Sequence, residues 1–346
     1  MNRRQFVNGV TAAGALFLGA APFIASSRAR AAERITLANW GGSTDDFMKE
    51  YWIKPFTSET GIAVDTVAGP DFAKALAQVQ SNNIQWDLLD TGGGQAYQGG
   101  QLGLWEQIDT KIVDPARFVQ SPPSFAVPTA IYALGIAYDP SRTKDPARTF
   151  PQLWDVKSFP GRRTLMGTGG APCLEVPLLA DGVAPSQMYP LDLDRAFKAL
   201  DRIKPNVVKF WTATAECISL IQRNEADYST AWLNRVKLAK AAGISIDFSF
   251  AQCINLTGYF TVLKGTKHKE AAMRFLDFIT RPEQQAALAN KLGAVPVTKG
   301  AEQKIDAEAR RWLPDLNNPN SLFVDNKYWA DRYQELSNSY KEWSLR

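Results

Sequence analysis

The chain has 346 residues, 45% hydrophobic and 21% charged, with 39 basic and 35 acidic side chains. That balance suits a globular protein of two lobes and argues against long disordered stretches or an internal membrane span. The one histidine, His268, lies in a lysine-rich turn, which works against His-based nucleophilic catalysis and imidazole-rich zinc or copper sites. Cys173, Cys217 and Cys253 lack a paired-cysteine metal spacing and read as buried free thiols, with one disulfide as the alternative.

Residues 1–32 read as an export leader. Arg3 and Arg4 open it, a Gly- and Ala-rich apolar stretch from Gly9 to Ala25 is too short and weak to span a membrane, and Arg30, Ala31 and Ala32 precede the cut. Arg3, Arg4, Gln5 and Phe6 resemble a twin-arginine signal, with an ordinary secretory signal as the alternative. The leader holds four basic residues and no acid, so the remainder carries 35 basic against 35 acidic residues. Zero net charge, without a basic run interleaved by aromatics, excludes nucleic acid as a partner.

Beyond the leader the patterning predicts a strand at 34–39 ending in Trp40, Gly41, Gly42 and Ser43, then a helix started by Thr44, Asp45 and Asp46. A strand at 62–67, a helix at 72–80 and a buried strand at 86–91 follow, the last running into Gly92, Gly93 and Gly94. After a helix at 95–103 and a polar stretch to Pro123, the apolar strand 127–138 is longer than one lobe needs and is expected to carry the chain into a second. There the pattern predicts a helical turn at 150–155, a strand at 163–167 and a helix at 172–180 that starts behind Thr168, Gly169 and Gly170. Helices at 191–203 and 217–223 and strands at 227–232 and 244–250 come next. A strand at 259–263 returns the chain to the first lobe, and helices at 269–280, 282–292, 301–312 and 328–343 complete it. Lobe 1 is expected to hold residues 33–137 and 258–300, and lobe 2 residues 138–257 and 301–346.

The binding cleft is expected at the end of the strand carrying Asp90. Gly93 and Gly94 permit close backbone approach to a ligand where a helix begins, unless they form only a flexible turn. Gly170 lies at a second glycine-rich helix start, and the two starts alike suit an anion. Arg235 could clamp a carboxylate in a bidentate manner, or be a solvated helix residue beside Lys237 and Lys240. Trp211 and Trp232 could wall a ligand or pack in the core, and Tyr259 is taken with them as a cleft residue.

Several short matches recur in order along the chain: Asn39 and Trp40 after the first strand; Pro55, Phe56, Thr60, Gly61, Ile62 and Val64; Trp86, Asp87 and Leu88; Gly103, Leu104, Ile108 and Asp109; Val127 and Pro128 with Gly135 and Ile136; Trp154; Trp232; and Arg281, Pro282 and Glu283. In this order and spacing they resemble the bacterial periplasmic solute-binding proteins of ABC transporters, and most closely their spermidine/putrescine-binding branch. The resemblance implies an α/β, two-lobed periplasmic-binding-protein fold of type II. Each lobe would be a mostly parallel sheet flanked by helices, and crossing hinge strands would join the two and close on a small solute. It further implies a membrane permease and its ATPase as partners, a periplasmic location, no cofactor and a monomer.

At the cleft the chain departs from the polyamine pattern. The Asp-rich turn expected after Thr168 is Gly169, Gly170 and Ala171, and the tryptophan and aspartate expected on the return to lobe 1 fall at Leu256 and Gly258. Trp40 and Trp232 match the pattern, with Asp90 and Glu175 as the acids placed to compensate. The expected ligand is a small nitrogen-containing solute, polyamine-type or amino-acid-like. The amino-carboxylate is favoured because a second ammonium would meet glycine amides or Arg235. The competing class is an exported enzyme using Asp90 and Glu175 as general acid and base.

Overall fold

A computed structural model describes residues 33–346; the leader assigned to 1–32 lies outside the described residues. Short apolar runs form nine strands: β1 (Arg34–Asn39), β2 (Ala63–Ala68), β3 (Leu88–Gly92), β4 (Val127–Tyr138), β5 (Arg163–Met166), β6 (Val207–Trp211), β7 (Tyr228–Trp232), β8 (Asp247–Val262) and β9 (Leu322–Phe323). They share one sheet of order β2-β1-β3-β8-β4-β7-β5-β6, with β9 on β8. β1 pairs in parallel with β2 and β3 at one end, and β5 with β6 and β7 at the other. Between them β4 and β8 cross antiparallel from one half to the other.

Each half has its own apolar core. The first gathers Ile35, Leu37, Trp52, Phe56, Phe260, Phe275 and Phe278, whose rings meet edge to face, Phe56 lying 5.1 Å from Phe275 and 5.6 Å from Phe278. The second gathers Phe150, Trp211, Tyr228, Ile254 and Trp329, together with Cys173, Cys217 and Cys253, all three buried free thiols. Core membership changes between Ile131 and Ala133 on β4, and between Ile254 and Phe260 on β8. The two crossing strands are therefore the only sheet pairing shared by both cores among the described residues, which makes them the structural hinge.

Helix ends follow from local chemistry. Asp71 starts the helix Phe72–Gln80 by accepting from the Lys74 amide, and Asp325 starts the C-terminal helix Asn326–Ser344 by accepting from Lys327 and Tyr328. Gly61 and Gly293 end the helices Lys54–Thr60 and Pro282–Leu292 in left-handed conformation.

The predicted order changes at several points. The strands expected at 244–250 and 259–263 are one strand, β8. Ala251, Gln252, Asn255 and Gly258 are weak strand formers, and pairing with β4 from Asp247 to Phe260 overrides them. β6 had no counterpart in the predicted order; it is a five-residue strand at the sheet edge with Val208 and Lys209 exposed, too short to show alternation. The helix expected at 301–312 divides into Ala301–Lys304 and Ala307–Arg310, because Ile305 turns in against Ala286 and Ala289. That segment packs on Pro282–Leu292 before the chain joins the second core at Leu322 and Val324.

Candidate functional site

Strand register determines what faces what. Side chains alternate along a strand, and residues directly opposed across an antiparallel pair share a face. Asp90 opposes Phe260, Ala130 opposes Gly258, Tyr132 opposes Leu256, and Leu134 opposes both Ile254 and Trp232. β3, β8, β4 and β7 are consecutive in the sheet, so Asp90, Gly258, Leu256, Tyr132 and Trp232 form one continuous patch across the crossing strands.

Two loops add to this patch. After β1 the buried Asn39 amide accepts from the Gly41 amide at 2.7 Å and donates to Asp45 at 2.8 Å, which fixes the turn. Gly41 and Gly42 take left-handed φ values of 68° and 60°, a turn that a side chain would strain. This conformation leaves Trp40 51% exposed at the strand end and delivers Ser43 toward the other half. After β7 the helix Leu233–Ala241 presents Arg235, whose Nη1 donates to Ser43 Oγ at 2.6 Å across the two halves.

The electrostatics are those of a divided pair. Asp90 is 6% exposed, and burial pushes its carboxyl up to about 7; the Trp40 indole, as a hydrogen-bond donor to the charged form, offsets this only in part. Arg235 is half-buried and desolvation lowers its pKa, yet a guanidinium stays charged; among the described residues it meets no carboxylate in an ion pair. Burial raises the Tyr132 phenol, with the Asp90 charge reinforcing the rise and Arg235 opposing it. Tyr132 therefore lies within reach of both charges. The patch offers a negative group on one half, a positive group on the other and aromatic surface between, an arrangement suited to a zwitterion.

The other expected cleft residues go elsewhere. Gly93 and Gly94 begin the helix Gly93–Gln101, but their missing side chains make room for the C-terminal helix. A Cβ on Gly93 would lie 2.1 Å from Asn326 Oδ1, and one on Gly94 would lie 3.1 Å from Trp329 Cβ. The loop containing Gly170 packs on the same helix, with Ser337 donating to the Gly169 carbonyl at 3.0 Å and the Tyr333 hydroxyl 3.7 Å from where a Gly170 Cβ would stand. Neither glycine-rich helix start is thus open to an anion from that side.

Glu175 is fully buried and accepts from Trp329 Nε1 at 2.5 Å and Tyr189 Oη at 2.8 Å. Burial raises its pKa, with the hydrogen bonds from Trp329 and Tyr189 opposing the rise, and its Oε2 is buried without a hydrogen-bond partner among the described residues. Tyr259 alternates to the face opposite Asp90 and sits 6.1 Å from the Tyr97 ring beneath Asn326. Trp211 is a core residue with no exposure, its indole donating to the Thr230 carbonyl at 2.9 Å. Asp90 and Glu175 consequently lie on different faces and do not form an acid–base pair.

Tyr132 and Ser43 were not among the expected site residues. Ser43 was visible as part of the Gly41-Gly42-Ser43 turn. Tyr132 needed the register: a Gly258 Cβ would stand 2.9 Å from its Cε2, so glycine at the position of the missing aspartate admits an aromatic ring onto β8. Among the described residues no cluster of His, Cys, Asp and Glu could hold a metal ion.

The bacterial extracellular solute-binding protein family model matches residues 51–313. A gamma-aminobutyric acid-binding protein of Pseudomonas aeruginosa is 29% identical over 338 residues, covering 94% of each chain. The spermidine/putrescine-binding periplasmic protein of Escherichia coli is 23% identical, over 98% of this chain and 97% of its own. The solved structure of a GABA receptor, Atu4243, superposes with a TM-score of 0.84 at 32% identity, over 90% of this chain and 97% of that one. With its crossing-strand hinge and divided charges, the chain belongs to the bacterial extracellular solute-binding proteins and is the solute-binding component of an ABC transporter.

Proposed function

We propose that the protein captures a small amino-carboxylate, of the ω-amino acid type, and passes it to a membrane permease. The observation that carries this reading is the opposed pair: a buried Asp90 without a cation on one half and a half-buried Arg235 without an anion on the other. A buried acid near neutrality accepts an ammonium with little competition, and a guanidinium offers several donors to a carboxylate. Trp40, Tyr132 and Trp232 supply the apolar wall for the methylene chain between them. Arg235 and Ser43 already meet across the halves, so closure brings the carboxylate end under both. The names of the GABA-binding relatives agree with this class.

We further read the chain as a monomeric, non-catalytic protein of the periplasm, exported by the leader at 1–32, with Arg3 and Arg4 pointing to the twin-arginine route. Supporting the non-catalytic role, the two carboxylates that could have worked as acid and base are on separate faces.

A thermal-shift panel tests the ligand class. At 100 times its dissociation constant a true ligand adds about 2.7 kcal/mol of stability. 4-Aminobutanoate and its near homologues are expected to give that response, putrescine and spermidine much less. A panel in which the diamines stabilise and amino-carboxylates do not would replace this reading with the polyamine one.

A further inference from the structure

Both ends of the solute patch depend on one turn of the first half. Trp40, whose indole donates to the charged Asp90, and Ser43, which meets Arg235, are separated only by Gly41 and Gly42. Arg235 lies over the bare backbone of this turn, its Nη1 3.5 Å from where a Gly42 Cβ would stand. Whatever fixes the turn therefore fixes the first half's grip on the ammonium end and on the carboxylate end together.

Two side chains outside the patch hold it. The Asn39 amide is fully buried, and its orientation is dictated from both sides: Oδ1 accepts from the Gly41 amide at 2.7 Å, closing an Asx turn, and Nδ2 donates to Asp45 Oδ1 at 2.8 Å. Asp45 Oδ2 pairs with Lys49 Nζ at 2.6 Å. Burial works against the Asp45 charge, but hydrogen bonds from Lys49, Asn39 and Thr66 of β2 hold its carboxyl below the ordinary value, so it stays an acceptor. The backbone completes the clamp. The Asn39 carbonyl accepts from the Gly69 amide at 2.9 Å, and a Gly41 Cβ would stand 3.2 Å from Ala68 Cβ, which leaves the turn no room to shift toward β2. Asparagine meets both demands, an acceptor toward an N–H and a donor toward a carboxylate; aspartate at 39 would set two carboxylates against each other.

We propose that Asn39, held by Asp45, is a positioning residue that sets which solute length the site accepts. The inference rests on the amino-carboxylate reading: a zwitterion is gripped at both ends, so its chain must match the span between them. A span built on a turn with a buried, doubly bonded anchor favours one length over its neighbours. With the anchor gone, Trp40 and Ser43 shift independently, and shorter and longer chains are taken alike.

Calorimetric titration of the purified protein with the series from 3-aminopropanoate to 6-aminohexanoate tests this. Discrimination of one methylene in a fitted site is about tenfold or more, and Asn39→Leu, which keeps the volume and removes both side-chain bonds, is expected to reduce it to about twofold. Asp45→Ala takes away only the acceptor that orients the amide and should flatten the preference less. Circular dichroism shows which variants fold: Asn39→Leu decides where it is folded, Asp45→Ala where it is not. A flattened preference supports the positioning role, because a general structural defect lowers every affinity by one factor and leaves their ratios alone. A folded variant that keeps the wild-type preference, or a wild type that binds the series without regard to length, overturns this role and leaves the amino-carboxylate reading standing. A wild type that holds diamines and none of the series overturns both.

Discussion

Asp90→Asn is expected to weaken capture of any ammonium-bearing solute by two orders of magnitude or more, and at the same time to make the solute-free protein more stable at pH 8. Both effects come from one buried acid. Its folded pKa of about 7 stands above the ordinary value of 3.8, so between about pH 4 and pH 7 the folded protein keeps a proton that the unfolded chain releases. Stability therefore falls as pH rises through that window, and above pH 7 the full penalty of a buried charge is present. Asparagine removes it, by at most on the order of 4 kcal/mol, because each pH unit of difference corresponds to about 1.4 kcal/mol. The stabilisation should be absent near pH 4, grow by about 1.4 kcal/mol per pH unit across the window and level off above pH 7. Solute binding has the reverse dependence: an ammonium needs the ionised carboxylate, so affinity should fall about tenfold per pH unit below pH 7. Calorimetric titrations between pH 5.5 and 8 measure this, and an affinity flat across that range would remove Asp90 from the ammonium site.

Arg235→Gln is the second large effect and separates the two ligand classes. Truncating one member of a buried, hydrogen-bonded charge pair costs about 2–5 kcal/mol, so binding of 4-aminobutanoate should weaken at least 30-fold to 100-fold. A diamine has no group for the guanidinium, and losing a nearby positive charge should leave its affinity unchanged or improved. Ser43→Ala serves as the comparison: it removes the cross-half bond at 2.6 Å while keeping the guanidinium, and should cost less than Arg235→Gln. Equal losses from both variants would mean that Arg235 acts by closing the halves and makes no direct contact with the carboxylate.

Much of the fold was legible because the local signals were unambiguous. β1, β4 and the helices Phe72–Gln80 and Pro282–Leu292 have the predicted bounds, marked by alternation in β1, by a long β-rich apolar run in β4 and by capping residues in the helices. Strand ends were legible too, which is how Trp40, Asp90, Trp232 and Arg235 could be singled out. The glycine turns were read less well for a physical reason: a missing side chain reveals that something approaches closely but not what, and here it is the C-terminal helix. Glu175 carried a similar ambiguity, since a buried acid waiting for an amine and one whose Oε1 is held by Trp329 and Tyr189 look alike in sequence. Tyr132 could not be found without the pairing of β4 with β8, because alternation within an all-apolar strand gives no sign of which face will hold the solute.

The distribution of sulfur gives the protein a clock of its own. Every cysteine in the chain lies in the second core and none in the first, and burial lifts the Cys173 thiol to about 11 and those of Cys217 and Cys253 to about 12. In the native protein they are shielded and protonated, and so nearly inert to alkylating reagents. Their modification records the moments when the second half comes apart. Since β4 and β8 thread both cores, an opening of the second half strips partners from the first, and an alkylation rate equal to the rate of global unfolding would show that the two come apart together.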